Sequence, residues 1–199
     1  MPTIYDLKPK FQQLLQPIVN KLAQAGYTPN QVTISALIMS IIFGSLVALF
    51  PANTALLLLL PFVLFIRMAL NAIDGLLARQ HNMETKLGQL INELSDIISD
   101  TALYLPFALI ENTYAPFVII FVILAIVAET TGILAMVISH HRAYDGPMGK
   151  SDRAFSFGLL AILLSFSTPT YLINCLLAVL MILSLLTITN RCKAALSVN

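Results

Sequence analysis

The sequence predicts an all-α integral membrane protein: six transmembrane helices preceded by an amphipathic surface helix. Three observations carry this. Of 199 residues, 58% are hydrophobic and 11% charged, and the mean hydropathy of +0.85 lies far above that of a soluble domain. Apolar runs such as ALLLLLPFVLF do not alternate, which excludes a barrel with a polar lumen. Every Lys and Arg except Arg67 falls at the same end of the candidate spans.

Residues 1–30 lack the apolar core of a cleavable signal peptide. Instead Ile4, Leu7, Phe11, Leu14, Leu15, Ile18 and Leu22 recur at helical spacing among Lys and Gln. This pattern predicts an amphipathic helix on the membrane surface, interrupted or kinked near Pro17. Residues 31–190 form the predicted six-helix bundle, and 191–199 a cytoplasmic tail, all within a single domain without repeats. A span needs roughly 17–25 apolar residues, and six stretches qualify or nearly so: Val32–Phe50, Thr54–Ala78, Gly88–Ile110, Ala115–Ser139, Ala154–Phe166 and Tyr171–Asn190. The fifth is short, so its helix is expected to start within the preceding loop.

Lys and Arg flanking a span are retained on the cytoplasmic side. Lys8, Lys10 and Lys21 precede span one, Arg79 and Lys86 join spans two and three, and Arg142, Lys150 and Arg153 join spans four and five. Arg191 and Lys193 follow span six, whereas the opposite loops PANT, ENTY and STPT hold no basic residue. Both termini are therefore expected in the cytoplasm, with the chain in a bacterial inner membrane. The net charge of +1 is explained by this topology and points to no nucleic-acid partner. Cys175 and Cys192 stand too far apart on one helix to bridge and are expected as free thiols.

Ionisable groups at bilayer depth cost roughly 2.5–3.5 kcal/mol each and need partners, water or an ion. Here they cluster. Arg67, Asn71, Asp74 and Ala78 share one face of span two, and Gly88, Asn92, Asp96 and Asp100 share one face of span three. A short cytoplasmic connection between the two spans brings these faces together in a cleft open to the cytoplasm. Oxygen ligands on facing helices suit Mg²⁺ or Mn²⁺, and such an ion neutralises phosphate oxygens. Gly75 leaves room for a ligand beside Asp74, and Arg79 can fork onto phosphate. Close helix packing alone is the alternative role for Gly75 and Ala78.

DGLLAR, eight residues, G, three residues, N, three residues and D resembles the signature of the CDP-alcohol phosphatidyltransferase family, D-x2-D-G-x2-A-R-x8-G-x3-D-x3-D. TPNQVTIS (Thr28 to Ser35) is similar to the segment entering the first span in that family. The resemblance implies that an acceptor alcohol attacks the phosphorus attached to the lipid of a CDP-linked donor, usually CDP-diacylglycerol, releasing CMP. It implies a metal site of Asn71, Asp74, Asn92 and Asp96, with Asp96 also the catalytic base. Asp74, Gly75, Ala78, Arg79 and Gly88 match the nucleotide and diphosphate contacts, and a homodimer is implied. Lys150, in its GK context, and Arg153 are candidates for holding a phosphate-bearing acceptor, against a purely topological role.

Asn71 and Asn92 stand where the signature has Asp. An Asn carbonyl coordinates a cation without the charge of a carboxylate. Asp74 and Asp96 alone balance one divalent ion, so fewer ions, weaker metal affinity or a compensating acid is expected. Asp100 is the candidate for compensation. Its depth points elsewhere: Asp100 and Arg67 each lie twelve residues inward of Gly88 and Arg79, roughly 18 Å. That equal depth predicts a buried Arg67–Asp100 ion pair, with Glu129 as a third member, below the metal site. Arg191 is expected to be topological, and His81, His140 and His141 have no spacing that makes a zinc site.

Two other function classes compete with the transferase. A weakened or inactive family member would bind CDP-lipid or a protein partner, which the two Asn positions favour. A cation or proton transporter would also hold intramembrane carboxylates. The acids cluster at one cytoplasmic end with no trail through the other spans, which weighs against transport.

Overall fold

The computed structural model describes residues 4–197, with side-chain surroundings described from residue 10 onward. The expectations for Met1 to Thr3 and for Val198 and Asn199, and for the side chains of Ile4, Leu7 and Lys8, lie outside the described residues. The described residues form seven α-helices and one 3₁₀ helix: α1 (Ile4–Gln24), α2 (Pro29–Leu49), α3 (Thr54–Gln80), α4 (Lys86–Tyr104), the 3₁₀ helix (Leu105–Leu109), α5 (Ala115–Ser139), α6 (Lys150–Ser165) and α7 (Thr170–Leu196). Four of them, α2, α3, α5 and α7, are long and apolar enough to cross a membrane. Helix α4 carries Lys86, Glu93, Asp96 and Asp100, and α6 is 16 residues long. That is about 24 Å of helix, short of the roughly 30 Å hydrocarbon core.

Local chemistry sets the boundaries. Helix α1 runs through Pro17 without the expected interruption. Helix α2 starts at Pro29, ahead of the expected Val32, because Thr28 and Gln31 form a reciprocal capping box and proline suits the first helical turn. Asn53 accepts the Ala55 and Leu56 amides at the start of α3, and Thr85 accepts the Gly88 amide at the start of α4. Helix α4 gives way to the 3₁₀ turn at Leu105 rather than continuing to Ile110, since Pro106 supplies no amide donor. Helix α6 does begin early, at Lys150, where Asp152 accepts the Gly149 amide at 3.0 Å. Helix α7 continues to Leu196, so most of the expected tail is helical.

Helix α2 packs against both α3 and α4, α3 against α6, α4 against α5, and α5 against α7. The α2–α4 crossing is close at Gly44, where a Cβ would stand 2.0 Å from the Ala102 carbonyl oxygen. By contrast, α3 and α4 do not pack closely on each other, although a short turn joins them. Both pack on α2, and the gap between them is bridged by side chains.

The core divides along the bundle. Tyr104, Phe107, Phe121 and Phe157 fill one end, with Tyr104 and Phe157 stacked at 4.2 Å. Polar groups fill the other. A second cluster joins α1 to the bundle: Leu15 and Val19 are buried with Val32, Ile73, Leu76 and Leu77. Gln16 and Gln80 exchange amide hydrogen bonds of 2.6 and 3.0 Å beside it. On its other side α1 exposes Leu14 and Ile18.

Candidate functional site

The two polar helix faces meet through side chains. Asn71 on α3 donates from Nδ2 to Asp96 Oδ1 on α4 at 3.1 Å. Arg67, one helical turn deeper, is buried and lies 2.5 Å from Asp100 Oδ1 through Nη1. Its Nη2 donates to the Asp96 carbonyl at 3.1 Å and stands 3.7 Å from the Asp96 carboxylate. Lys150, the first residue of α6, reaches across the gap to pair with Asp96. Asp74 is buried on the same α3 face and accepts a 2.7 Å hydrogen bond from the Thr33 hydroxyl of α2.

At the mouth, the Arg79 guanidinium folds over Gly75, where an added Cβ would meet Nη1 at 3.3 Å. A side chain at position 75 would compete with Arg79 for that space, and Arg79 itself is exposed. Ala78 is half-buried one turn on. Gly88 abuts Asn30 of α2: a Cβ there would stand 2.8 Å from Asn30 Oδ1 and 2.9 Å from Thr85 Oγ1. Asn92 is partly buried on the Asp96 face and has no side-chain hydrogen-bond partner among the described residues.

Among the described residues no three His, Cys, Asp or Glu side chains come together as a metal cage. What remains is two carboxylates, Asp74 and Asp96, and two amides, Asn71 and Asn92. This donor set fits a hard cation held by one or two carboxylates and completed by substrate phosphates, the usual manner for Mg²⁺. It does not fit a closed all-protein cage.

A family model for CDP-alcohol phosphatidyltransferases matches residues 26–190, from Gly26 through almost all of α7. The chain belongs to that family. CDP-alcohol phosphatidyltransferases are membrane transferases of phospholipid biosynthesis, and the four crossing-length helices agree with a multi-pass member. The chain is 46% identical over 195 residues to the inner membrane protein YnbA of Escherichia coli, covering 98% of this chain and 96% of that one. It is 31% identical over 103 residues to an archaetidylinositol phosphate synthase of Pyrococcus horikoshii, covering 52% of each. The fold is similar to Mycobacterium tuberculosis phosphatidylinositol phosphate synthase (PgsA1) with CDP-DAG bound, at a TM-score of 0.76 and 21% identity over 93% of this chain and 94% of that one. The same enzyme in complex with manganese and citrate matches with a TM-score of 0.73 and 22% identity, over 91% and 88% of the two chains.

The family signature accounts for only part of the polar cluster. Arg153, a candidate for holding the acceptor, is buried with its donors engaged: Nε to Asp100 at 2.9 Å, Nη1 to the Met148 carbonyl at 3.2 Å and Nη2 to Glu129 at 2.7 Å. Glu129 joins the arginines of the loop and of α7 rather than Arg67. It accepts from Arg142 at 2.8 Å and stands 3.5 Å from Arg191. Arg191 is buried, donates to the Ala128 carbonyl and is thus more than a topological charge. Arg142 also pairs with Glu93. Burial opposes the Arg142 charge, but Glu93 and then Glu129 outweigh it and raise its pKa above the ordinary guanidinium value.

Sequence reasoning passed over Thr33, Asn30, Glu93 and the Arg142 pairing. A signal existed for three of them. Glu93 lies three residues before Asp96 and so shares its helix face, and Asn30 and Thr33 both fall inside the TPNQVTIS segment. Arg142 had none: Glu93 lies on a helix 49 residues away in the chain, and nothing in the spacing turns a loop residue back onto Glu129 of the preceding helix.

Proposed function

We propose that the protein transfers a phosphatidyl group from CDP-diacylglycerol, or a related CDP-lipid, to an acceptor alcohol and releases CMP. The observation that carries this reading is the bridged gap between α3 and α4, with Asp74, Asn71 and Asp96 inside it and Arg79 folded over Gly75 at its mouth. Arg79 offers a fork to the diphosphate, and Gly75 and Ala78 leave room for it to approach the α3 backbone. Gly88, against Asn30, shapes the nucleotide side. A Mg²⁺ or Mn²⁺ ion held by Asp74 and Asp96, with the Asn71 and Asn92 amides in support, would neutralise charge on the diphosphate when bound. Asp96 takes the proton of the acceptor hydroxyl. The freed oxygen attacks the phosphorus bearing the lipid, the bond to the CMP oxygen breaks, and CMP leaves. Lys150, already on Asp96, stands where it can meet the acceptor.

In this reading six helices cross a bacterial inner membrane as a homodimer with both termini cytoplasmic, and α1 lies along the surface with Leu14 and Ile18 toward lipid. Support for α4 and α6 as spans comes from their packing against the crossing-length helices α2, α5 and α3. Purified protein given CDP-diacylglycerol, Mg²⁺ or Mn²⁺ and a panel of alcohols is expected to release CMP, with one ion bound per chain by Mn²⁺ titration. Asp74→Asn and Asp96→Asn are each expected to remove that release.

A second reading has its own observation: Asp96 is occupied by Lys150 and Asn71, and two signature carboxylates are amides. In that reading the chain binds CDP-lipid or a protein partner without turnover. Retained CDP binding with no CMP release for any acceptor selects it.

A further inference from the structure

Three guanidiniums converge from different parts of the chain beside the α3–α4 cleft: Arg142 from the loop after α5, Arg153 from α6 and Arg191 from α7. Such a convergence is ordinarily a cradle for a phosphoryl group. Here the chain supplies the anion itself. Glu129 of α5 is buried among all three, at 2.8 Å from Arg142, 2.7 Å from Arg153 and 3.5 Å from Arg191. Asp100 takes a second edge of Arg153, and Glu93 takes the other nitrogen of Arg142. A phosphate monoester entering this side of the cleft would have to displace buried carboxylates from their arginines and stand beside them. The first costs the ion pairs, and the second adds like-charge repulsion at low dielectric.

We propose that Glu129 and Glu93 act as specificity determinants that exclude phosphorylated acceptors, so that the acceptor is an alcohol without a phosphate group. The class comprises polyols and hydroxylated zwitterions. This rests on the transferase reading above and adds the chemistry of the second substrate. Glu129 sits deep and holds three arginines in place, whereas Glu93 lies nearer the rim and pairs with Arg142 alone. Glu93→Gln therefore frees one guanidinium edge with little demand on the fold, and the melting temperature of the variant checks this.

The test has two arms. With CDP-diacylglycerol and Mg²⁺ in nanodiscs, CMP release is compared for glycerol against sn-glycerol 3-phosphate, and for inositol against inositol 1-phosphate. The unphosphorylated member of at least one pair is expected to show the higher kcat/KM in the wild type, and Glu93→Gln is expected to narrow the difference. Calorimetry then measures sn-glycerol 3-phosphate binding to both proteins without donor. The variant is expected to bind about tenfold more tightly, the value of one charge-assisted hydrogen bond. A wild type that prefers the phosphorylated acceptors, or that binds sn-glycerol 3-phosphate as tightly as Glu93→Gln does, overturns the proposal. No CMP release with any alcohol removes the transferase reading alone, and the calorimetric comparison then decides the role of Glu93.

Discussion

Asp100 is held by two arginines, Arg67 at 2.5 Å and Arg153 at 2.9 Å, which favours the counterion over the ligand of the two roles its position allows. A metal ligand must offer a free oxygen, whereas both Asp100 oxygens face guanidiniums. Asp100→Asn would leave two buried arginines short of a counterion, and breaking a buried pair typically costs about 3–5 kcal/mol. The expected outcome is a lower melting temperature in detergent, with the Mn²⁺ affinity of the surviving folded fraction unchanged. Weaker Mn²⁺ binding at unchanged stability would make Asp100 a ligand instead. The equal depth of Arg67 and Asp100 was legible in the sequence, because helical rise converts residue number into distance. The partners of Glu129 were not, since depth says nothing about which helix stands alongside, and Arg153 and Arg191 proved nearer than Arg67.

At the scale of elements, α2 packs on both α3 and α4, and its approach to α4 depends on Gly44. The backbones of α2 and α4 approach so closely there that a Cβ would fall 2.0 Å from the Ala102 carbonyl oxygen, a contact that only movement of one helix relieves. Gly44→Ala is therefore expected to destabilise the protein by about 1–3 kcal/mol, the usual range for overpacking. Because α4 carries Asp96, the same shift should lower CMP release in the folded fraction. Denaturation monitored by circular dichroism, paired with the CMP assay, separates the two effects, and a variant of wild-type stability would show that the crossing tolerates a methyl group. The existence of these helices was legible from apolar run length, and α5 matches its expected bounds at Ala115 and Ser139. Their neighbours were legible only in part. The short connection after α3 predicted that the two polar faces come together in a cleft, and they meet there through Asn71 and Asp96; that both helices also pack on α2 was not legible, because small residues such as Gly44 set helix approach and leave little trace in hydropathy. Ends set by caps, at Thr28 and Asp152, also ran ahead of the apolar pattern, since capping is a local hydrogen-bond matter rather than a hydrophobic one.

The whole molecule is polar along its length: aromatic residues fill the end beyond Asp100, and ion pairs and the α3–α4 cleft fill the other. Lys and Arg gather at the cleft end, at the helix ends flanking the turn 81–85 (Arg79, Lys86), in the loop 140–149 (Arg142) and at the adjoining helix ends (Lys150, Arg153, Arg191, Lys193), while the loops at 50–53, 110–114 and 166–169 contain no Lys or Arg. If retention of basic segments sets orientation, the cleft faces the cytoplasm, where CDP-lipid headgroups and soluble acceptors meet. Single cysteines introduced into a Cys175→Ser, Cys192→Ser background test this directly. Asn112→Cys, in the loop after the 3₁₀ helix, is expected to react with a membrane-impermeant maleimide in intact spheroplasts. Asp145→Cys, exposed in the basic loop, is expected to react only after the membrane is opened. The reverse pattern would place Asp74, Asp96 and Lys150 on the outer face. That would separate the cleft from cytoplasmic nucleotide and overturn the transferase reading, whatever the geometry of its residues.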